Sequence, residues 1–177
     1  MSRLQEGYKL PEWRGGYSKL DSWDNRFRVL SKPITGWVYF NHDKKPVRVK
    51  EKSEVVVGDI WEGLYGKQCN HFWAFVVYDS QKEDISILEI TKKSVLKSFK
   101  NYLMDPDYLD PTEYDIIISK EWSGTDTKYG FRVGKHSAIP DEVKEAYEAM
   151  TINLEAVYGG GNPYEDTQEA PGQESKF

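Results

Sequence analysis

Four cationic side chains stand at alternate positions in two short segments: Arg26 and Arg28 within residues 25–30, Arg48 and Lys50 within residues 47–50. The residues between them are apolar (Phe27 and Val29, Val47 and Val49), so each segment reads as a strand with one buried face and one basic face. Lys44 and Lys45 occupy the tip of a turn at residues 41–46 between these segments. Trp37 and Tyr39 lie on one side of the intervening stretch, and Trp73 and Phe75 share a face of residues 72–78. Binding an unpaired nucleic-acid strand needs both elements together. Cations follow the phosphates, and aromatic rings stack the bases at about 1–3 kcal/mol per base whatever the sequence. The expected binding surface is therefore Arg26, Arg28, Trp37, Tyr39, Lys44, Lys45, Arg48, Lys50, Trp73 and Phe75. The competing reading makes the cations a solvated outer face and the aromatics core.

Other chemistry is poorly provided for. Cys69, His71, His42 and His136 lack the paired spacing that fixes two metal ligands at once, so neither metal nor cofactor is expected. No phosphate-cradling G-x-x-x-x-G-K-[ST] loop, G-x-S-x-G elbow or H-E-x-x-H pair occurs. Asp79, Glu89, Asp115 and Glu121 flank strands without a spacing that forces them to converge on a metal, so a nuclease is not expected and the chain is read as a non-enzyme. The end of the chain, after Gly159-Gly160-Gly161, carries Glu165, Asp166, Glu169 and Glu174 and finishes on Phe177. Such a tail can compete with nucleic acid for a basic groove, or present an aromatic to partner proteins.

The elements that would position these groups follow from pattern. Strands are expected at 25–30, 34–40, 47–50, 72–78, 85–90, 114–118 and 128–133, and residues 51–70, with the Val55-Val56-Val57 run and Gly58, Gly63 and Gly66, read as a long connection with room for a short strand. A helix capped by Thr91 carries Val95, Leu96, Phe99 and Leu103, and a second starts at Pro140 with Val143, Ala146, Tyr147, Met150, Leu154 and Val157 as its stripe. This order fits a mainly β chain: a five-stranded Greek-key barrel of the OB type with a helix between its third and fourth strands, a C-terminal helix and an acidic tail. An α+β sandwich is the alternative. The expected organisation is an arm (1–19), a domain (20–158) and a flexible tail (159–177).

Net charge is −5 over 177 residues, which by itself speaks against a nucleic-acid partner. The total conceals a gradient: residues 1–52 carry +6, residues 53–135 carry −4, and residues 136–177 carry −7. No apolar run approaches membrane-spanning length, no secretory signal is seen at the N-terminus, and one Cys fits a reducing cytoplasm.

Several runs, in order, resemble the single-stranded DNA-binding proteins of tailed bacteriophages: Asn25-Arg26-Phe27-Arg28-Val29-Leu30, Ile34-Thr35-Gly36-Trp37-Val38-Tyr39, His71-Phe72-Trp73-Ala74-Phe75-Val76-Val77-Tyr78, Leu88-Glu89-Ile90-Thr91, Pro111-Thr112-Glu113-Tyr114-Asp115-Ile116 and Ile152-Asn153-Leu154-Glu155-Ala156. The resemblance implies an OB-fold that coats single strands in phage replication, recombination and repair, in the host cytoplasm, with replication or recombination proteins docking on the tail. A protein-interaction adaptor without a nucleic-acid ligand is the second expectation.

Overall fold

The computed structural model of the chain describes residues 17–64, 66–123 and 126–164. These form a mainly β structure with nine antiparallel strands: β1 (Trp23–Val29), β2 (Ile34–Phe40), β3 (Pro46–Val49), β4 (Glu62–Gly63), β5 (Gly66–Lys67), β6 (Cys69–Asp79), β7 (Asp84–Ile90), β8 (Tyr114–Ser123) and β9 (Asp126–His136). Two α-helices, α1 (Lys93–Leu103) and α2 (Asp141–Glu148), complete the regular elements. β4 and β5 pair only with each other; the other seven strands form one sheet.

β6 organises that sheet. Along one edge it pairs with β7. Along the other it pairs first with β2, through residues 69–74, and then with β1, through residues 77–79. β1 and β2 thus behave as one long strand bent at residues 30–33. At the bend the ladder is continued by Leu30, whose N–H donates to the Val76 carbonyl, and by the Ser31 hydroxyl, which accepts from the Val76 N–H at 2.9 Å. The hydroxyl takes the place of a ladder carbonyl as acceptor where the chain turns away from β6. β3 lies beyond β2, and β8 and then β9 lie beyond β1.

The two faces of the sheet bury different cores. Inward-pointing Phe27, Val29, Phe75, Val77, Leu88, Ile90, Ile116 and Ile118 enclose Val95, Leu96 and Phe99 of α1. On the outer face Val38, Phe72, Ala74, Val76, Ile85 and Ile87 are covered by Leu154, with Ala146, Tyr147, Met150, Ile152, Tyr158 and Tyr164 packed around them. Burial on both faces explains the unbroken apolar run at 72–78, where a half-exposed strand would alternate. Gly36 is required at this layer: a Cβ there would collide with the Val49 carbonyl and crowd Phe72 and Tyr158.

Several expectations are revised. The sheet is not closed as a barrel, since no ladder joins β7 to β9. Tyr17 bridges to Ile87 in that region, and Leu20 packs against the first core. The 51–70 connection does hold short strands, β4 and β5, while two 3-10 turns occupy 52–54 and 57–59 and leave Val56 and Val57 exposed. α1 is capped by Lys92 rather than Thr91. α2 ends at Glu148, and the stripe expected to run on to Val157 resumes as a separate 3-10 turn over 154–159. The intervening Thr151-Ile152-Asn153 is unfavourable in a helix interior, and as a separate segment it lets the chain cross the outer face. Tyr17 and Tyr164 both pack on the second core, so the folded unit extends past the expected limits at 20 and 158. The acidic tail residues 165–177 lie outside the described residues. No helix among the described residues is long and apolar enough to cross a membrane.

Candidate nucleic-acid interface

Of the cations expected to line a groove, Arg26, Arg28, Arg48 and Lys50 fall on the outer face and are held in ion pairs. Arg28 is 4% exposed. Its guanidinium donates to Asp115 Oδ1 at 2.8 Å, to the Ser137 carbonyl at 2.9 Å and hydroxyl at 2.6 Å, and to the Thr112 carbonyl at 3.3 Å. The 3-10 turn at 111–113 and the chain leaving β9 close over what alternation alone presents as a solvated position. Asp115 also accepts from Arg26 at 2.8 Å. Arg48 is held by both carboxylate oxygens of Glu89, at 2.6 and 3.1 Å, with the Tyr17 ring 5.0 Å from its guanidinium carbon. Lys50 lies 3.4 Å from Glu155 and over the Tyr158 ring. β1 and β3 are not neighbours in the sheet, so the expected four-cation groove is not assembled.

The aromatics divide differently. Phe75 and Tyr39 are 1% and 4% exposed, so neither presents a face to a base. Trp73 is half-buried, packed against Phe75 and Phe99 of the first core. Trp37, also half-buried, is paired across the ladder with His71, and the two rings lie 4.9 Å apart. Lys52 places its ammonium 4.9 Å from the centre of the Trp37 ring. Cys69 lies on the same inner face, where burial pushes its thiol up against the opposing pull of Lys52. Among the described residues no cluster of His, Cys, Asp and Glu is suited to a metal.

The connection between β2 and β6 supplies a second cation–aromatic pair. Lys44 sits in a turn whose Asn41 side chain accepts from the Asp43 and Lys45 N–H groups. Its ammonium lies 5.2 Å from the Trp61 ring centre. Trp61, Phe40 and Leu64 line a shallow pocket with Gly63, Gly66 and Gln68, and Lys45 and Lys67 are exposed nearby in the chain. Lys44 and Lys45 were expected from the sequence. Trp61, Phe40 and Lys52 were not: Phe40 alternates to the side opposite Trp37 and Tyr39, and Lys52 and Trp61 lie in a connection with no periodicity to place a side chain.

At the other end of the bent strand, the β8–β9 hairpin carries an exposed Trp122. Register pairs Lys120 with Tyr129 across this hairpin and with Trp23 on β1. Trp23 has a left-handed φ of 75°, uncommon for a bulky residue. Asn25 sustains it: buried, its amide donates to the carbonyls of Asp21, Trp23 and Ile118 and its oxygen accepts from the Asp21 N–H. Lys92 lies 5.2 Å from the Tyr129 ring centre.

Chemically, this arrangement offers rings with accessible faces and flexible ammonium groups beside them. Comparison with protein-family models, with curated proteins and with solved structures returned no match.

Proposed function

We infer that the protein binds single-stranded DNA without sequence preference, as a coating protein in replication, recombination and repair. The observation that carries this reading is the recurrence of lysines over partly exposed rings, in no ion pair among the described residues: Lys52 on Trp37, Lys44 on Trp61 and Lys92 on Tyr129. These are the two components that sequence-tolerant binding of an unpaired strand requires.

Connectivity supports the same reading. Taking β1–β2 as a single bent strand, the order is strand, β6, β7, α1, β8, β9. That is the order of an OB-fold, with its helix between the third and fourth strands. In that frame residues 41–68 are the loop after the first strand and the β8–β9 turn is the loop between the fourth and fifth. OB-folds hold oligonucleotides with these two loops and the strand face between them. Here the outer face of β6 and β7 is covered by residues 146–164, so the proposed strand path uses the loops and the inner-face indoles.

Titration with poly-dT, followed by tryptophan fluorescence at two salt concentrations, tests the reading. Quenching that weakens steeply with salt is expected; no quenching at either concentration would sink it. A chain cut after Tyr164, which removes Glu165, Asp166, Glu169, Glu174 and Phe177, is expected to bind dT more tightly if the acidic tail competes for the cations. A protein-adaptor role is the second reading, favoured by the exposed Val56, Val57 and Leu64 of the same loop. Partner capture that is insensitive to salt, without any oligonucleotide shift, would replace the first reading with this one.

A further inference from the structure

α1 carries a charge pattern that neither core explains. Lys93, Lys97 and Lys100 stand at i, i+4 and i+7 and are all exposed. At 3.6 residues per turn they fall within about 60° of arc, and the stripe rises about 10 Å along the axis. Val95, Leu96 and Phe99 point the other way, into the first core. Residues 91–104 contain four lysines, counting Lys92, and no acid. Among the described residues the ion pairs involve Arg26, Arg28, Arg48, Lys50, Arg132 and His136, and none of the α1 lysines.

This pattern works against the helix. The first turn holds no acid, and Lys93 faces the positive end of the helix dipole. Lys93 and Lys97 repel at i, i+4, as do Lys97 and Lys100 at i, i+3. α2 shows the opposite choice, with Asp141 and Glu142 in its first turn. The stripe therefore lowers the stability of α1, and among the described residues no carboxylate forms an ion pair with it. A bound polyanion would supply that compensation.

The surroundings indicate which polyanion. Phe99 of α1 packs on Trp73, in the inner-face row that holds Trp37 and His71. Beside the start of α1, Lys92 lies over Tyr129. α1 thus adjoins a half-buried ring at its start, while Phe99, on the side of the helix away from the stripe, joins it to the indole row. Resting on the nucleic-acid reading above, we propose that the Lys93–Lys97–Lys100 stripe of α1 is a track for the phosphodiester backbone of the bound single strand.

Oligo-dT affinity of the full chain, measured across a salt series, tests the track. The variants are K93Q/K97Q/K100Q and a control, K32Q/K135Q/K144Q, which removes the same charge from exposed lysines elsewhere. Loss of three phosphate contacts lowers the slope of log K against log salt by about 2, since each contact contributes about 0.7, and weakens binding about a hundredfold at 0.1 M salt. The control is expected to change the slope by less than one contact. The stripe variant is expected to melt no lower than the parent, because its lysines repel one another. An unchanged slope and affinity in the stripe variant, or an equal loss in the control, overturns the track while leaving nucleic-acid binding intact. Absence of dT binding by the parent protein overturns both.

Discussion

On the outer face, Arg26 and Arg28 share Asp115, and Arg48 is gripped by Glu89. On the inner face and in the 41–68 connection, Lys52 and Lys44 lie over indole rings, with no carboxylate within ion-pair distance among the described residues. The two regions have the same sign of charge in the same third of the chain. They differ in side-chain chemistry: a guanidinium presents a planar fork that matches a carboxylate and tolerates burial, whereas an ammonium on a flexible stem stays hydrated. The arginines accordingly tie strands and turns together, while the lysines remain available to a ligand. Positive charge in a strand pattern is thus a poor guide to binding until the carboxylates facing it are known.

The sharpest way to break this comparison is Arg28→Ala. It leaves the Thr112 and Ser137 carbonyls without their donor and Asp115 with Arg26 alone, and the expected loss is about 3–5 kcal/mol, as for other broken buried pairs, read from urea unfolding. A loss under about 1 kcal/mol would return Arg28 to the class of surface cations. Next comes Trp37→Leu, which keeps an apolar group beside His71 but removes the ring. The dT affinity should fall by about 1–3 kcal/mol with the melting temperature little changed; unaltered affinity would make Trp37 a packing residue. Smaller is Tyr114→Phe, which removes a hydroxyl that donates to the Tyr108 carbonyl at 2.7 Å, worth about 1 kcal/mol. Burial pushes the Tyr114 phenol up from 10.0 to about 12. Its contribution is therefore fully present below pH 10 and lost as pH rises towards 12. An alkaline unfolding profile identical in parent and variant would refute this. The smallest effect belongs to Arg26→Ala. With its side chain 46% exposed and Asp115 still held by Arg28, less than 1 kcal/mol is expected; a loss as large as that of Arg28→Ala would erase the distinction between the two arginines.

Much of the local structure could be read directly. Alternation at 25–30, the β-branched and aromatic run at 72–78, and the i, i+1, i+4, i+8 spacing after Thr91 each led to an element that forms, within one or two residues at most ends. The lysine stripe of α1 is equally readable by its spacing, on the side of the helix opposite its apolar stripe. The site was less legible. Phe75 and Trp73 have the same periodicity on the same strand, yet one is sealed under α1 and the other reaches the edge of the core. Trp61 lies in a stretch with no period, so nothing in the pattern could assign it an orientation.

What the order of residues determines here is local: which segments extend or coil, which side of each is apolar, and where charge accumulates along the chain. These properties depend on backbone preference and on periods of 2 and 3.6, which act over a few residues. Which face becomes solvent was decided by the tertiary structure alone. Residues 146–164 return to cover the outer face of β6 and β7, and Ser137 and the turn at 111–113 close over Arg28. The bend at 30–33 sends β1 and β2 to successive stretches of the same strand. Such contacts join residues that are tens of positions apart, and their energy resides in burial and ion pairing, which no local pattern encodes.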